Sequence, residues 1–268
     1  MLGDSPMVAI GLASAGFALT WLTGRGGFLG DKGSFSVSWS PKAILLAVVS
    51  IGAAVAFYEV SGGIAIIVAI MWHEWGHVIA FRVAGHRDAR FRLIPLLGGV
   101  AISDKRPKDH ATSCFITLMG PGFSVSLVVI LVLAEAALRD AGSPLARDFG
   151  WAAKLTGAIN AFNMLPLWPL DGGRALRSIT VTAAPKLAGM LTTIMSAALA
   201  GFAIFNQMWF LLMFAVMGYQ YAQRAATTDL HLRPMPQRQA ILASVGYLAI
   251  FGANLLVGWP IFRHFLRF

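Results

Sequence analysis

Three ionisable residues, His73, Glu74 and His77, stand inside a run from Ile64 to Val83 that is otherwise apolar up to Arg82. A stretch of this kind approaches the ~20 residues that a membrane-crossing helix needs. On a helix, positions i and i+4 share one face, roughly 6 Å apart along the axis. His73-Glu74-Trp75-Gly76-His77 has that spacing, in the pattern H-E-x-x-H. Two imidazoles on one face can hold one Zn²⁺, with the intervening carboxylate close to the metal's open side. Ionisable groups at bilayer depth are costly, so three together mark a functional site by default. A core histidine with a hydrogen-bond partner, or a Glu paired with an Arg, accounts for one residue of the three but not for their spacing.

The rest of the chain supports a lipid setting. Only 12% of the 268 residues are charged and 57% are hydrophobic, where a soluble domain averages about 25% charged. The expected fold class is an all-α integral membrane protein, a polytopic helical bundle of about six to eight transmembrane helices. The apolar runs are Pro6 to Leu22, Ala43 to Tyr58, Ile64 to Ala84, Ala111 to Leu138, Trp151 to Leu167, Leu187 to Phe205, Met208 to Tyr221 and Ala240 to Val257. Gly62-Gly63 reads as a tight turn between the second and third of these, and Gly85 as a helix stop. Gly120-Pro121-Gly122 reads as a kink or a place of close helix approach. Between Arg87 and Asp109 an apolar piece broken by Pro95, Gly98 and Gly99 is too short to span, and reads either as a short re-entrant or β-like loop near the active site or as an ordinary interfacial loop. The first run lacks a basic flank and reads as a retained span rather than a cleaved signal peptide. A single integral-membrane domain, 1–268, is expected, with its catalytic core at about 62–185.

The net charge of +9 comes from Lys and Arg in loops between apolar runs. Topology and anionic lipid explain them, and no basic tail or recognition helix argues for nucleic acid. Counted by loop, most of the 21 Lys and Arg fall on one side, with the N-terminus outside and the motif toward the cytoplasm. Small size favours a bacterial plasma membrane. The lone cysteine, Cys114, excludes an intrachain disulfide and a Cys-rich zinc site.

A catalytic zinc usually takes three protein ligands and keeps a position open. His86, His110, His231 and His264 all fall in expected loops or tails, so Asp171, in the broken stretch Pro166 to Gly173, is the better third ligand. The combination of His73-Glu74-Trp75-Gly76-His77 with Asn163-Met164-Leu165-Pro166-Leu167-Trp168-Pro169-Leu170-Asp171-Gly172-Gly173 resembles the site-2 protease family of intramembrane zinc metalloproteases. The resemblance covers the middle of the chain. It implies one Zn²⁺ per chain bound by His73, His77 and Asp171, Glu74 as the residue that activates water, and a transmembrane protein or peptide substrate met within the lipid bilayer. Gly98 and Gly99 resemble the family's glycine-bearing loop, where an unwound substrate strand can add by β-pairing. Gly120-Pro121-Gly122 resembles its Gly-Pro segment, with Ser124 and Ser126 where an Asn is expected nearby. Asn163 or Asn160 can supply an amide to the oxyanion.

Two other classes compete. Prenyl-protein proteases pair H-E-x-x-H with a downstream Glu, but Glu135 is the only Glu after Glu74. A non-proteolytic metal-binding membrane protein, a transporter or receptor, has no need of Glu74 beside its ligands.

Overall fold

The computed structural model describes residues 41–94, 98–228 and 232–266. The first apolar run, and most of the Gly/Ser-rich stretch after it, lie outside the described residues. The described chain is largely helical: α1 (Pro41–Val83), strands β1 (Arg90–Ile94) and β2 (Gly98–Ile102), then α2 (His110–Asp140), α3 (Ala146–Asn163), α4 (Asp171–Ala183), α5 (Pro185–Phe205), α6 (Trp209–Thr228) and α7 (Gln237–Leu266).

Gly62-Gly63 departs from the expected tight turn. No turn forms there; α1 runs through both glycines. Two glycines cost a helix roughly 1 kcal/mol each. Opening it inside an apolar stretch would strand peptide groups at several kcal/mol apiece, so the helix persists. The orientation drawn from the loop charges assumed that turn, and loses that part of its footing.

The stop at Gly85 is as expected. Gly85 takes φ 91°. Its N–H donates to the Arg82 carbonyl (2.9 Å), and the His86 N–H reaches back to the Phe81 carbonyl (2.9 Å). This is the double closure of a Schellman motif, whose left-handed residue is best filled by glycine. Beyond it the strands pair antiparallel, Arg90 opposite Ile102 and Ile94 opposite Gly98, and both pack against α1. The β-like character expected of this segment is therefore present. Its base is tied by Asp88, whose carboxylate accepts from the Ser103 hydroxyl (2.9 Å) and the Asp104 N–H (2.6 Å). His86 Nδ1 lies 2.9 Å from the same hydroxyl.

Helix α2 is capped by Asp109, which accepts the Thr112 N–H at 2.7 Å. It carries Pro121 internally. Of the histidines placed in loops or tails, His110 instead opens α2 and His264 lies within α7. The broken stretch runs from Met164 to Leu170; α4, a helix not expected from the sequence, begins at Asp171 itself.

Two compact units share the chain. One gathers the described residues up to Lys105 with Met119–Ala161 and Gly252 onward; the other holds Arg106–Leu118 and Phe162–Phe251. In the first, a Cβ on Gly76 would land on the Met119 carbonyl and Phe123, and one on Gly157 would meet Asn254 and Gly258 backbone. Small residues there let helices approach closely, as membrane helices do. In the second, Cys114, Leu118, Met164, Ala175, Ile179 and Tyr247 form the core. Among the described residues three helices are long and apolar enough to cross a membrane: Ser61–Val83, His110–Asp140 and Gln237–His264.

Two expectations follow. Gly85→Ala forces a side chain into the left-handed region and should cost more than about 1 kcal/mol in thermal unfolding, with Gly85→Asn milder. The Asp104 N–H, followed by the Ser103 hydroxyl, holds the Asp88 carboxyl below its ordinary value of 3.8 against some desolvation. A depressed carboxyl stabilises the fold above its unfolded pKa and loses that contribution as pH falls through the folded value. The stability difference between the wild type and Asp88→Asn should therefore be present near neutral pH and vanish as the pH drops below 3.8.

Candidate metal centre

His73 and His77 fall on one face of α1, buried to 3% and 7% exposure. Their Nε2 atoms lie 3.0 Å apart, with the rings edge to face at 79°. The roles of these nitrogens follow from the neighbours. Asn160, fully buried on α3, donates its Nδ2 to the Thr156 carbonyl at 2.9 Å. Its Oδ1 therefore faces His73 Nδ1, at 2.7 Å, and must accept. The His73 proton is thus on Nδ1, and a lone pair stands on Nε2, turned toward His77 Nε2.

This arrangement fits a metal. Two imidazole nitrogens on one tetrahedral zinc stand about 3.3 Å apart, given bonds of ~2.05 Å. The observed spacing needs to open by only a few tenths of an ångström. The space beside it depends on Gly120 of α2: a Cβ there would land on the His77 ring and come within 2.8 Å of His73 Nε2. Close helix approach, one of the two readings of Gly120-Pro121-Gly122, is what the structure shows.

Glu74 is 9% exposed, and its Oε2 accepts the Ala101 N–H of β2 at 2.9 Å. The hairpin thus reaches the motif through one main-chain amide. Gly98 and Gly99 lie on the same strand, opposite Ile94 and Leu93. Trp72 is a packing residue: it stacks on Phe123 at 5.4 Å and donates its indole N–H to Ser126 Oγ at 3.2 Å. Ser124 bonds the Gly120 carbonyl of its own helix at 3.1 Å. Both serines where an Asn was expected have structural partners. Arg82 donates to the Ala89 carbonyl at 3.3 Å.

Asp171 belongs to the second unit, at 6% exposure. It is the first residue of α4, after an extended Leu170, and Arg174 Nη1 lies 3.8 Å from its carboxylate. An acidic side chain suits a helix N-terminus. Gly172 and Gly173 are not part of a turn, as Asp-Gly-Gly suggests, but the first turn of the helix. A Cβ on Gly172 would land on the Met164 carbonyl, and one on Gly173 on that of Leu167. Asn163, half-buried, closes α3. Sequence reasoning missed the Ala101 amide and gave no firm role to Gly120. Only the Gly-Pro-Gly triplet could have pointed to the latter.

No protein-family model matches the chain. Zinc metalloprotease MJ0392 of Methanocaldococcus jannaschii is 32% identical over 118 residues, 43% of this chain and 33% of that protein. Rip3 of Mycobacterium tuberculosis is 27% identical over 146 residues, 53% of this chain and 37% of that protein. The chain spans about a third of the length of these curated relatives. A solved structure, Site-2 Protease from Methanocaldococcus jannaschii, aligns at 24% identity over 72% of this chain and 88% of that one, with a TM-score of 0.45. The sequence relatives bear out the resemblance to zinc metalloproteases that the motifs carry.

The Asn160 contact can be tested directly. Asn160→Leu removes the acceptor that holds His73 Nδ1–H, and zinc affinity, read by competition with a chromophoric chelator, should fall about 10- to 100-fold. Asn160→Asp keeps an acceptor and should lose less.

Proposed function

We propose that this relative of zinc metalloproteases is an intramembrane zinc endopeptidase, which hydrolyses peptide bonds in or near the transmembrane segment of membrane-protein substrates. The observation that carries the reading is the pair of buried Nε2 atoms 3.0 Å apart on an apolar helix, with Glu74 between them in sequence. The proposed ligands to one zinc per chain are His73, His77 and Asp171. Their donor types suit zinc, and each of the three is buried. When bound, zinc supplies Lewis acidity toward water and toward a peptide carbonyl.

The chain's own residues do the rest. Glu74 takes a proton from water and later delivers it to the leaving amine. The Ala101 N–H holds the Glu74 carboxylate on the hairpin side of α1. Asn160 fixes the tautomer and tilt of His73; with both ends of its amide engaged in the fold, the oxyanion role passes to Asn163. The strand β2, with Gly98 and Gly99 free of bulk, receives an unwound substrate segment by β-addition. A transmembrane helix hides its amides, so such a segment must unwind before it is cut.

The membrane part of the reading takes α1, α2, α3, α5, α6 and α7 as spans, the lower end of the range expected from the apolar runs. Three of them meet the length and hydropathy of a crossing helix on their own, and shorter apolar stretches, Met190–Phe205 and Leu211–Gln220, extend the set. The hairpin enters as a re-entrant element, supported by its main-chain pairing. The basic residues around the end of α1 and the hairpin, Arg82, Arg87, Arg90, Arg92, Lys105, Arg106 and Lys108, favour a site toward the cytoplasmic side. The whole forms one integral-membrane protease domain with its core at about 62–185.

In vesicles carrying a transmembrane peptide, Glu74→Gln should retain zinc and lose cleavage by at least about 10²-fold. His73→Ala should lose zinc as well, and Asp171→Ala should bind it measurably but far more weakly through the remaining histidine pair. Full turnover by metal-loaded Glu74→Gln would overturn the assignment of the base.

A further inference from the structure

The stretch that leads to Asp171 carries an attachment outside both motifs. Tyr247, on α7, donates its hydroxyl to the Met164 carbonyl at 2.6 Å, across 83 residues of sequence. Tyr247 is 9% exposed and Met164 fully buried, both in one core with Cys114, Leu118, Ala175 and Ile179. Met164 is the first residue past the end of α3, so its carbonyl has left the helical ladder. The same carbonyl is the atom against which Gly172 packs so closely that a Cβ could not fit. One main-chain oxygen therefore takes the tyrosine's proton on one side and seats the residue after Asp171 on the other.

We infer that Tyr247 is a positioning residue for the Asp171 carboxylate, acting through the Met164 carbonyl and the Gly172 backbone that rests on it. The inference rests on the reading of Asp171 as a zinc ligand. Its physical basis is that a carbonyl which loses its donor in an apolar core must turn to find another. Gly172 sits against that carbonyl, so the turn moves the start of α4 and with it the aspartate. The aromatic ring is not the active part: it stacks on Phe251 at 6.3 Å, and a phenylalanine preserves that contact.

The experiment is a double-mutant cycle on the full chain in detergent micelles, with zinc affinity as the readout. Tyr247→Phe should weaken zinc about tenfold, in the range seen for outer partners of metal ligands. In an Asp171→Ala background the same substitution should have no further effect. Cobalt in place of zinc gives a second readout: the visible band of Tyr247→Phe should shift toward that of Asp171→Ala. Equal weakening in both backgrounds, or none in either, would overturn the inference and reduce Tyr247 to a packing residue. Unchanged zinc affinity in Asp171→Ala alone would instead remove the ligand reading on which the inference stands, and the single-variant arm separates the two failures.

Discussion

The close approach of α1 and α2 is the constraint on which the centre depends. It is made at two glycines that face in opposite directions. Gly76 admits the Met119 carbonyl and Phe123 to the surface of α1, and Gly120 admits both imidazoles to the surface of α2. A methyl group at either position would overlap atoms of the opposite helix. In lipid there is little hydrophobic drive between helices, and close packing of small residues supplies the attraction. The same feature that holds the pair together thus leaves the imidazole nitrogens their space.

Polar groups in such a place must be satisfied. An unpaired amide or hydroxyl in an apolar medium costs several kcal/mol, and an unpaired charge far more. The chain meets this with short relays. Thr156 holds Asn160 and Asn160 holds His73; the Ala101 amide holds Glu74; Tyr247 holds Met164. Each relay ends on or next to a residue proposed for the chemistry, and each draws its donor or acceptor from a different part of the chain. A buried network of this kind rigidifies when complete.

Much of this was legible from residue order, for identifiable reasons. The His pair follows directly from helical period, and the stop at Gly85 from the need for a left-handed residue, since both are local rules. Gly62-Gly63 departs from its turn propensity because breaking a helix in an apolar setting costs more than the two glycines do. The start of α4 at Asp171 was hidden because Asp-Gly-Gly is a turn signal in water. Here its glycines serve packing against the Met164 and Leu167 carbonyls instead. The orientation of the Asn160 amide is a tertiary fact, settled by Thr156 one turn away and His73 on another helix. Spacing alone could not rank Asn160 against Asn163. The Ala101 contact depends on strand register, which a sequence with Gly98-Gly99 and Pro95 leaves loose.

The Schellman closure at Gly85 has a consequence for supply. It ends α1 six residues past His77, about 9 Å along the axis at 1.5 Å per residue. Hydrolysis consumes one solvent molecule for every bond cut, and lipid is nearly dry. Under the hydrolytic reading proposed above, water has only that distance to cover from the helix end to His77, about three or four molecules in line at hydrogen-bond spacing. A longer α1 would set the proposed ligands farther from that water.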